Sequence, residues 1–419
     1  MKTSPLELGY DPSSADFRRD PYPAYRRLQQ QAPRFYDSNK HEWVISRYAD
    51  VRFVLQDPRF QFADPTPTFR FDEATFRSIN ALPPSTERFA QQRRKGNDLL
   101  DRFLEIRHPP EHTMLRQLIQ PWFNSASLNE LQSWQHAHAH ALLDRIIADD
   151  TATFDIVQQF TIPFAYGTLC RLLGVDATED RGWMIHPHRI IVSTDFIITQ
   201  TDLERAAWAA YALALSFVDL MSKPSALRPG GLLEHLAKPE TAQSFHEDER
   251  LALLIQLVSA GYETSANTLG LVIRTLLRHG AAWQQLRATP ELLPDAIEEA
   301  MRFDGSIQAR PHVALEDVDV GDWHIRRGDR FQLLIGAANR DPEQFERPDE
   351  LVLDRSPNPH LNFLYGIHYC IGAPLGRQTL RVGLQALLGR VPNLRLVENG
   401  ETWMPTYWMH AFEHLLVTR

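Results

Sequence analysis

A chain of 419 residues with 43% hydrophobic residues buries a large core, and a net charge of −9 without a long basic segment argues against a nucleic-acid partner. Two cysteines cannot form a disulfide framework, and no segment has the apolar length of a signal peptide or a membrane span. These features predict a cytoplasmic protein that binds neither nucleic acids nor membranes.

The N-terminal part of the chain predicts short strands and helices. Alternating apolar residues surround positions 43–46, and a helix is predicted from Tyr48 to about Leu55, before Asp57 and Pro58. Residues 61–107 are rich in proline, phenylalanine and charge and show little periodicity, which predicts a long loop.

A basic pair is predicted on one helix face after this loop. Pro109, Pro110 and Glu111 begin a helical pattern in which His112 and Arg116 are four residues apart and project from the same side. Two donors on one face suit an anionic group such as a carboxylate. The same spacing fits an exposed basic pair beside a capping glutamate, so both interpretations stay open.

Successive helices are predicted between residues 125 and 240, with segments at 128–147, 154–173 and 203–221. Cys170 lies among leucines and is predicted to be a buried core thiol. Five histidines without companion metal-ligand spacing predict solvent-facing helix surfaces rather than a metal site. They are His136, His138, His140, His186 and His188.

Residues 244–280 predict one long central helix. Ser244 and Glu247 have the spacing of a capping box, and no proline interrupts the apolar pattern that follows. At its middle, the small residues of 260–264 (AGYET) let a broad ligand lie against the helix, and the threonine hydroxyl favours local opening of the hydrogen-bond ladder. Glu263 is costly in an apolar helix unless hydrated or paired, which suggests proton handling. An ion pair with an arginine outside the pocket is the alternative.

A further ion pair is predicted on the next helix. Glu299 and Arg302 are three residues apart on one face. Residues 305–335 then predict short strands.

The segment 363–372, FLYGIHYCIG, places Cys370 just before another helical pattern. Unpaired N–H groups and the helix dipole favour a thiolate there, and a thiolate is the form that binds metal. Gly366 and Gly372 allow a tight turn, Phe363 would shield the sulfur, and His368 could donate to an anionic group. A buried, inert cysteine is the alternative that these residues leave open.

In their order and spacing, these segments resemble the cytochrome P450 family over nearly the whole chain. Residues 363–372 are similar to its haem-binding loop, with Leu364 where the family has glycine. The resemblance implies a mainly α cytochrome P450 fold in a single domain, 1–419, with a helix-rich body. Its small β region would come from 1–60 and 305–335, its pocket roof from 61–107, its central helix from 244–280, and its haem-thiolate loop from 363–372.

The resemblance also implies a haem b site with Cys370 as the iron ligand. The other cofactor-binding residues that it implies are His112, Arg116, Ala260, His312, Phe363, Gly366, His368 and Gly372. The family's propionate-binding arginine aligns with His312, so Arg310 could serve the propionate instead, lie in solvent, or bind a substrate carboxylate. Ile307 and Trp408 are further substrate candidates. The arginine that usually joins Glu299 and Arg302 aligns with Glu350, so Arg347 or Arg355 would replace it.

The implied activity is that of a haem-thiolate monooxygenase. It would insert one oxygen atom from O2 into a small organic substrate, in secondary metabolism or catabolism. Electrons would come from a separate ferredoxin and ferredoxin reductase, with Arg377 and Arg381 as candidates for a partner surface, and a monomer is expected. Thr264 would hydrogen-bond to dioxygen at the haem or to its water partner, and Glu263 would relay protons from solvent. The alternatives are oxidative coupling, peroxide-driven oxidation, a haem sensor without catalysis, and a non-haem cysteine enzyme.

Overall fold

The computed structural model describes residues 7–38, 40–63, 87–149, 151–176, 185–192, 195 and 199–419. Within them the helices are α1 (Ala15–Arg19), α2 (Tyr22–Gln31), α3 (Tyr48–Gln56), α4 (Glu87–Leu100), α5 (Glu111–Ile119), α6 (Ser125–Ala148), α7 (Ile162–Leu173), α8 (Ile185–Val192), α9 (Gln200–Met221), α10 (Leu232–Ala237), α11 (Pro239–Ser244), α12 (Glu247–Gly261), α13 (Glu263–Arg278), α14 (Gly280–Ala288), α15 (Leu293–Phe303), α16 (Ile335–Ala338) and α17 (Ala373–Arg390). The strands are β1 (Arg34–Asp37), β2 (Glu42–Ile45), β3 (Phe60–Phe62), β4 (Thr153–Asp155), β5 (Arg310–Ala314), β6 (Val318–Val320), β7 (Trp323–Ile325), β8 (Arg330–Leu333), β9 (Arg395–Trp403) and β10 (Phe412–Thr418). Across the described ranges, no helix has both the length and the apolar character needed to cross a bilayer.

The helical body is organised around α12 and α13. Side chains of α12 pack in one apolar cluster with α6, α7 and α9. Side chains of α13 pack in a second cluster with α14, α15 and α17. Their apolar residues have almost no solvent exposure, so the two helices pass through the core, as the apolar pattern predicts.

The predicted central helix differs in two details. It begins at Glu247 rather than at residue 244 and is interrupted at Tyr262, which belongs to neither α12 nor α13. The predicted cap at Ser244 is wrong, because that residue ends α11. His246 caps α12 instead, since its ring nitrogen accepts the Asp248 N–H at 3.2 Å and Glu249 accepts the His246 N–H at 2.9 Å.

A five-stranded sheet has the order β1-β2-β8-β5-β3. Strands β2 and β8 pair in parallel, and the other neighbours are antiparallel. The sheet joins the predicted N-terminal and 305–335 regions, and β3 extends it to Phe62. Phe62 pairs with His312, and because alternate residues of a strand share a face, Arg310 and His312 lie on the same side of β5.

The prediction of a loop over residues 61–107 is wrong from residue 87 onwards, where α4 begins. Tertiary contacts stabilise this helix. Lys95 forms an ion pair with Asp248 on α12 at 2.6 Å. Gly96 packs so closely on α9 that a Cβ there would lie 1.8 Å from the Ala207 carbonyl oxygen. Residues 64–86, about half of the predicted pocket roof, lie outside the described residues.

The predicted ion pair of Glu299 and Arg302 is confirmed, and both side chains are fully buried. Arg302 Nε donates to Glu299 Oε2 at 2.7 Å, and its Nη2 donates to Oε1 at 2.9 Å. Arg355 is the third partner, with its Nε 2.9 Å from Glu299 Oε2. Arg347 instead forms an exposed pair with Glu350. The cluster therefore ties α15 to the segment before the cysteine.

Candidate functional site

A cavity of about 420 Å³ lies in the core. It is lined by α5, α12, α13, β5 and the segment 363–372, which we call the cysteine loop. The predicted site residues that line it are His112, Arg116, Ala260, Thr264, Ile307, Arg310, His312, Phe363, His368, Cys370 and Gly372. Glu263, Gly366 and Trp408 are not among its lining residues. Residues from distant parts of the sequence therefore meet around one space.

The backbone of the cysteine loop requires glycine at one position. The Phe363 carbonyl oxygen accepts the Cys370 N–H at 2.9 Å, and a 3-10 turn, Gly366–His368, lies between them. Gly366 has a φ of +73°. A Cβ at this position would lie 2.5 Å from the Leu55 carbonyl oxygen, so no side chain fits.

Leu364 has a backbone conformation that glycine adopts without strain. Its φ is +59°, in the left-handed region, where an ordinary side chain costs about 1–2 kcal/mol. The Leu364 N–H donates to the Leu361 carbonyl at 2.9 Å. Its side chain packs against the apolar cluster of α3 and the five-stranded sheet. The contacts of the Leu364 side chain and N–H therefore hold a leucine in this left-handed position.

Cys370 lines the cavity, and it is exposed there, unlike the buried Cys170. Burial raises the pKa of the thiol, while the Gly372 N–H and the charges of Arg116, Arg310 and Arg377 lower it. The predicted thiolate-stabilising groups are present, but burial has the larger effect on the pKa. The prediction of a lowered thiol pKa from the position before a helix is therefore wrong for the unliganded cysteine. A coordinated metal ion deprotonates such a thiol directly.

Two neutral histidines and an arginine meet beside the cysteine loop. The rings of His112 and His368 are in edge contact, 4.8 Å between centroids. Burial lowers the pKa of His112, and burial with the neighbouring His112 lowers that of His368 to about 4. Arg116 Nη2 donates to the Tyr369 carbonyl at 2.8 Å, which joins α5 to the loop. Both rings can therefore donate hydrogen bonds without carrying charge.

Arg310 lies between two aromatic rings at the cavity wall. Its Cζ atom is 4.4 Å from the ring centroid of Trp408 and 5.6 Å from that of Phe62. Burial lowers the pKa of Arg310, and the nearby Glu105 carboxylate opposes that effect. Trp408 is buried beside the guanidinium and is not among the residues that line the cavity, so its contact with substrate stays a prediction. Ile307 does line the cavity.

His312 is a neutral donor or acceptor at this site. Burial, with the nearby His368 and Arg310, lowers its pKa to about 3. Its ring therefore carries no positive charge, unlike the arginine that the cytochrome P450 resemblance places at this position. Among the cavity residues that the structure describes, Arg310 carries the permanent charge on this strand.

The residues fit a haem with two carboxylates. Three buried nitrogens of cavity residues have no hydrogen-bond partner in the described chain: Nε2 of His112, Nε of Arg310 and Nδ1 of His312. Leaving such atoms without a partner in the interior is costly, so the arrangement suits an anionic, hydrogen-bonding ligand. Cys370 adds the thiol that iron accepts, and the rest of the wall is largely apolar.

The helix interruption at Tyr262 brings two polar side chains to the cavity side of α13. Thr264 Oγ1 donates to the Ala260 carbonyl at 2.5 Å, and Ser265 Oγ donates to the Gly261 carbonyl at 2.9 Å. These hydroxyls bond the carbonyls where the ladder opens, which confirms the predicted local opening. Thr264 lines the cavity beside the break.

Glu263 is buried next to this opening and pairs with a histidine. Its Oε1 is 2.9 Å from His188 Nδ1, and its Oε2 is buried without a hydrogen-bond partner in the described chain. Among the described residues, the partner of Glu263 is therefore this histidine and not the arginine of the alternative. His188 is partly exposed, as predicted for a solvent-facing helix surface, but its ring also pairs with Glu263, which the sequence did not predict. No sequence spacing reveals this pair, because 75 residues separate its members.

Arg377 is also engaged within the protein. It donates two hydrogen bonds to Glu298, at 2.9 and 2.7 Å, and one to the Tyr369 hydroxyl at 3.0 Å. Its guanidinium also lies over the Phe363 ring, with Cζ 4.3 Å from the centroid. Arg377 therefore supports the cysteine loop, which weakens its candidacy as a contact for an acidic partner.

Known proteins resemble this chain along its whole length. A family model described as Cytochrome P450 matches residues 283–392. Biotin biosynthesis cytochrome P450 of Bacillus subtilis (strain 168) is 28% identical over 99% of this chain and 100% of the relative. Mycinamicin IV hydroxylase/epoxidase of Micromonospora griseorubida is 32% identical over 84% of this chain and 83% of the relative.

Solved structures share the fold. P450BioI, in complex with acyl carrier protein ligated to hexadec-9Z-enoic acid, has a TM-score of 0.85 at 27% identity and covers 97% of this chain and 100% of its own. CalO2 has a TM-score of 0.84 at 27% identity, covering 99% of this chain and 98% of its own. The chain therefore belongs to the cytochrome P450 family of haem-dependent monooxygenases.

Proposed function

We propose that this monooxygenase inserts one oxygen atom from O2 into a small, mainly apolar substrate in secondary metabolism, using haem b bound through Cys370. The observation that carries the proposal is that Cys370 and Thr264 line the same cavity, beside the helix interruption at Tyr262. A thiol on one wall and a hydroxyl on the other have separate uses in such a reaction. A sensor or a non-haem cysteine enzyme has no use for this arrangement.

The haem, when bound, supplies the binding and reductive activation of dioxygen. Cys370 would hold its iron. One haem carboxylate would be held by His112, His368 and Arg116. The other carboxylate would be held by Arg310 and His312. Gly372 and Ala260 would leave room for the macrocycle, Phe363 would cover the cysteine side, and Gly366 would keep the turn of the loop.

The remaining steps belong to the protein. Thr264 lines the cavity while its O–H donates a hydrogen bond to the Ala260 carbonyl. Glu263 lies next to it, buried, with one carboxylate oxygen free of described partners. We propose that Glu263 holds a proton for the reaction and that Thr264 orients the oxygen that receives it. The apolar wall excludes water and so limits the consumption of electrons without formation of product.

Electrons would come from a separate ferredoxin-type partner. An iron–sulfur cluster of the common type needs four cysteines, and this chain has two. Both thiols are free of disulfides, which suits a reducing cytoplasm. We further propose a monomer.

An acyl chain presented by a carrier protein is the more specific substrate candidate. It rests on the likeness to P450BioI and on an apolar cavity wall that includes Leu169, Leu172, Leu253 and Leu257. A Soret-band titration with a free fatty acid and with the same acid on a carrier protein tests this candidate. Tighter binding of the carried acid supports it, and equal or absent binding contradicts it.

The function itself is tested in two measurements. Reduced holoprotein treated with carbon monoxide is expected to show the difference spectrum of haem-thiolate ligation. Product is expected with ferredoxin, ferredoxin reductase, NAD(P)H and O2. Turnover with peroxide alone would favour the peroxide-driven alternative, a coupled dimeric product would favour oxidative coupling, and haem binding without any turnover would favour a sensor.

Thr264→Ala is expected to uncouple electron use from product. Without the hydroxyl, proton delivery from Glu263 is no longer directed. NAD(P)H consumption therefore continues while the amount of product per NAD(P)H falls about tenfold. The measurement is the ratio of product to NAD(P)H consumed. Ser259→Ala is the matched control, because its hydroxyl makes the same bond, to the Ile255 carbonyl at 2.8 Å, away from the cavity lining. Unchanged coupling in Thr264→Ala removes that residue from the mechanism.

Arg310→Gln is expected to weaken haem retention more than His312→Gln. A charged hydrogen bond to a carboxylate is worth about 1.5–3 kcal/mol, or roughly tenfold to a hundredfold in affinity, whereas His312 is neutral. The measurement is the rate of haem transfer to apomyoglobin, with Arg310→Lys as the charge-conserving control.

Two further outcomes would show whether Arg310 binds a substrate carboxylate instead of a haem carboxylate. If Arg310→Gln keeps its haem but loses the Soret shift caused by carboxylate-bearing ligands, the guanidinium serves substrate. If neither property changes, Arg310 binds no carboxylate.

A further inference from the structure

The contact between Glu263 and His188 spans the boundary between core and solvent. Glu263 has 8% of its side chain exposed, whereas 42% of the His188 side chain is exposed. The two are joined at 2.9 Å through His188 Nδ1. Across the described part of the chain, no other hydrogen bond involves the His188 ring. One end of the pair therefore faces solvent and the other lies beside the cavity residue Thr264.

The surroundings of the ring favour its charged form. The charged groups that face it, among the described residues, are Glu263 on α13, Glu413 on β10 and Arg189 on its own helix. The hydrogen bond to Glu263 raises the pKa of His188, and the charges of Glu263 and Glu413 add to this effect. Burial and Arg189 act in the opposite direction. The two carboxylates outweigh the single arginine.

We propose that His188 carries protons from solvent to Glu263. The proposal deepens the proposed function, because it rests on Glu263 as the proton donor beside Thr264. It identifies a residue that acts through Glu263 rather than on substrate. The proposal also explains why the buried carboxylate of Glu263 pairs with a histidine. An arginine or lysine could neutralise the carboxylate but would not exchange a proton with it near neutral pH.

The transfer conserves protons and charge. When Glu263 has given its proton to the cavity, it is a carboxylate beside the imidazolium of His188. The N–H bond at Nδ1 breaks as an O–H bond forms at Oε1, which leaves a neutral ring and a neutral acid. Solvent then returns a proton to the exposed ring. No electron moves in these steps.

The direction of the pH effect follows from the raised pKa. Below that pKa the ring is charged and can donate, and as pH rises through it the imidazolium is lost. Coupling of NAD(P)H consumption to product is therefore expected to fall as pH rises through a value above the ordinary pKa of histidine.

The test compares His188→Gln, His188→Arg and His186→Gln with the wild-type chain. His188→Gln is expected to lower coupling about tenfold and to remove the histidine step from its pH profile. His188→Arg keeps a cation beside Glu263 but releases no proton at these pH values, so it is expected to stay uncoupled. His186→Gln, two residues away on α8, is expected to behave as wild type, because His186 packs against Trp208.

Three results would overturn the proposal. They are wild-type coupling in His188→Gln, recovery of coupling by His188→Arg, and a His188 pKa, followed by NMR in the full chain, that does not fall in Glu263→Gln. The NMR titration needs no turnover. A wild-type chain without a haem-thiolate spectrum or product would instead contradict the proposed function, while the titration would still report on the pair.

Discussion

Cys370→Ala is expected to abolish the haem-thiolate difference spectrum and all oxygen insertion. Cys370 is the cysteine that lines the cavity. The other cysteine, Cys170, is fully buried among leucines, and burial raises its pKa to about 11. It therefore cannot supply a replacement thiolate. The measurement is the carbon monoxide difference spectrum of the reduced protein, together with product formation.

The matched control is Cys170→Ala. This substitution removes the other thiol of the chain from the core and is expected to cost about 1 kcal/mol of stability while leaving the spectrum intact. Cys370→His provides a second arm, because imidazole can ligate iron without a thiolate. It is expected to bind haem and to lack the thiolate spectrum. A thiolate spectrum in Cys370→Ala would refute the assignment.

Arg302→Leu is expected to destabilise the fold by about 3–5 kcal/mol, since it breaks a fully buried ion pair and leaves the buried Glu299 with Arg355 as its cationic partner. The substitution also removes the hydrogen bonds that Arg302 donates to the carbonyls of Asn339, Pro348 and Glu350. That loss is a large share of the 5–15 kcal/mol that typically holds a native protein together. The measurement is the free energy of unfolding of the haem-loaded chain in urea.

The exposed pair of Arg347 and Glu350 offers the comparison. Its side chains are 55% and 62% exposed, and such pairs contribute about 0–1 kcal/mol, so Arg347→Leu is expected to change little. A similar loss of unfolding free energy in Arg302→Leu and Arg347→Leu would mean that burial does not determine how much an ion pair contributes to stability. Arg355→Leu is expected to fall between them, because Glu299 keeps Arg302 as its partner.

Much of the site could be predicted because its signals are local in sequence. The spacing of Glu299 and Arg302 places both on one helical turn, and the glycines of the cysteine loop follow from backbone geometry. The Thr264 hydroxyl likewise bonds a carbonyl one turn earlier. Each of these contacts needs only a few neighbouring residues to be read correctly.

The remaining features depend on distant contacts that no local pattern shows. His188 meets Glu263 only because α8 packs over the central helices. Helix α4 is stabilised by α9 and α12 rather than by its own periodicity. The choice of Arg355 over Arg347 depends on how the segment after residue 340 folds back on α15. Sequence reasoning therefore found the chemical groups of the site more readily than their supporting partners.

The parallel pairing of β2 with β8 has a consequence for biosynthesis. Residues 42–45 reach the ribosome surface early, but their partners at 330–333 emerge only when most of the chain has been made. Closing such a long stretch is entropically slow, whereas the hydrogen bonds inside each intervening helix join residues only four apart and can form first. The wall that holds Arg310, and the cysteine loop after it, are thus completed late, so cofactor capture is expected to follow the formation of most helices.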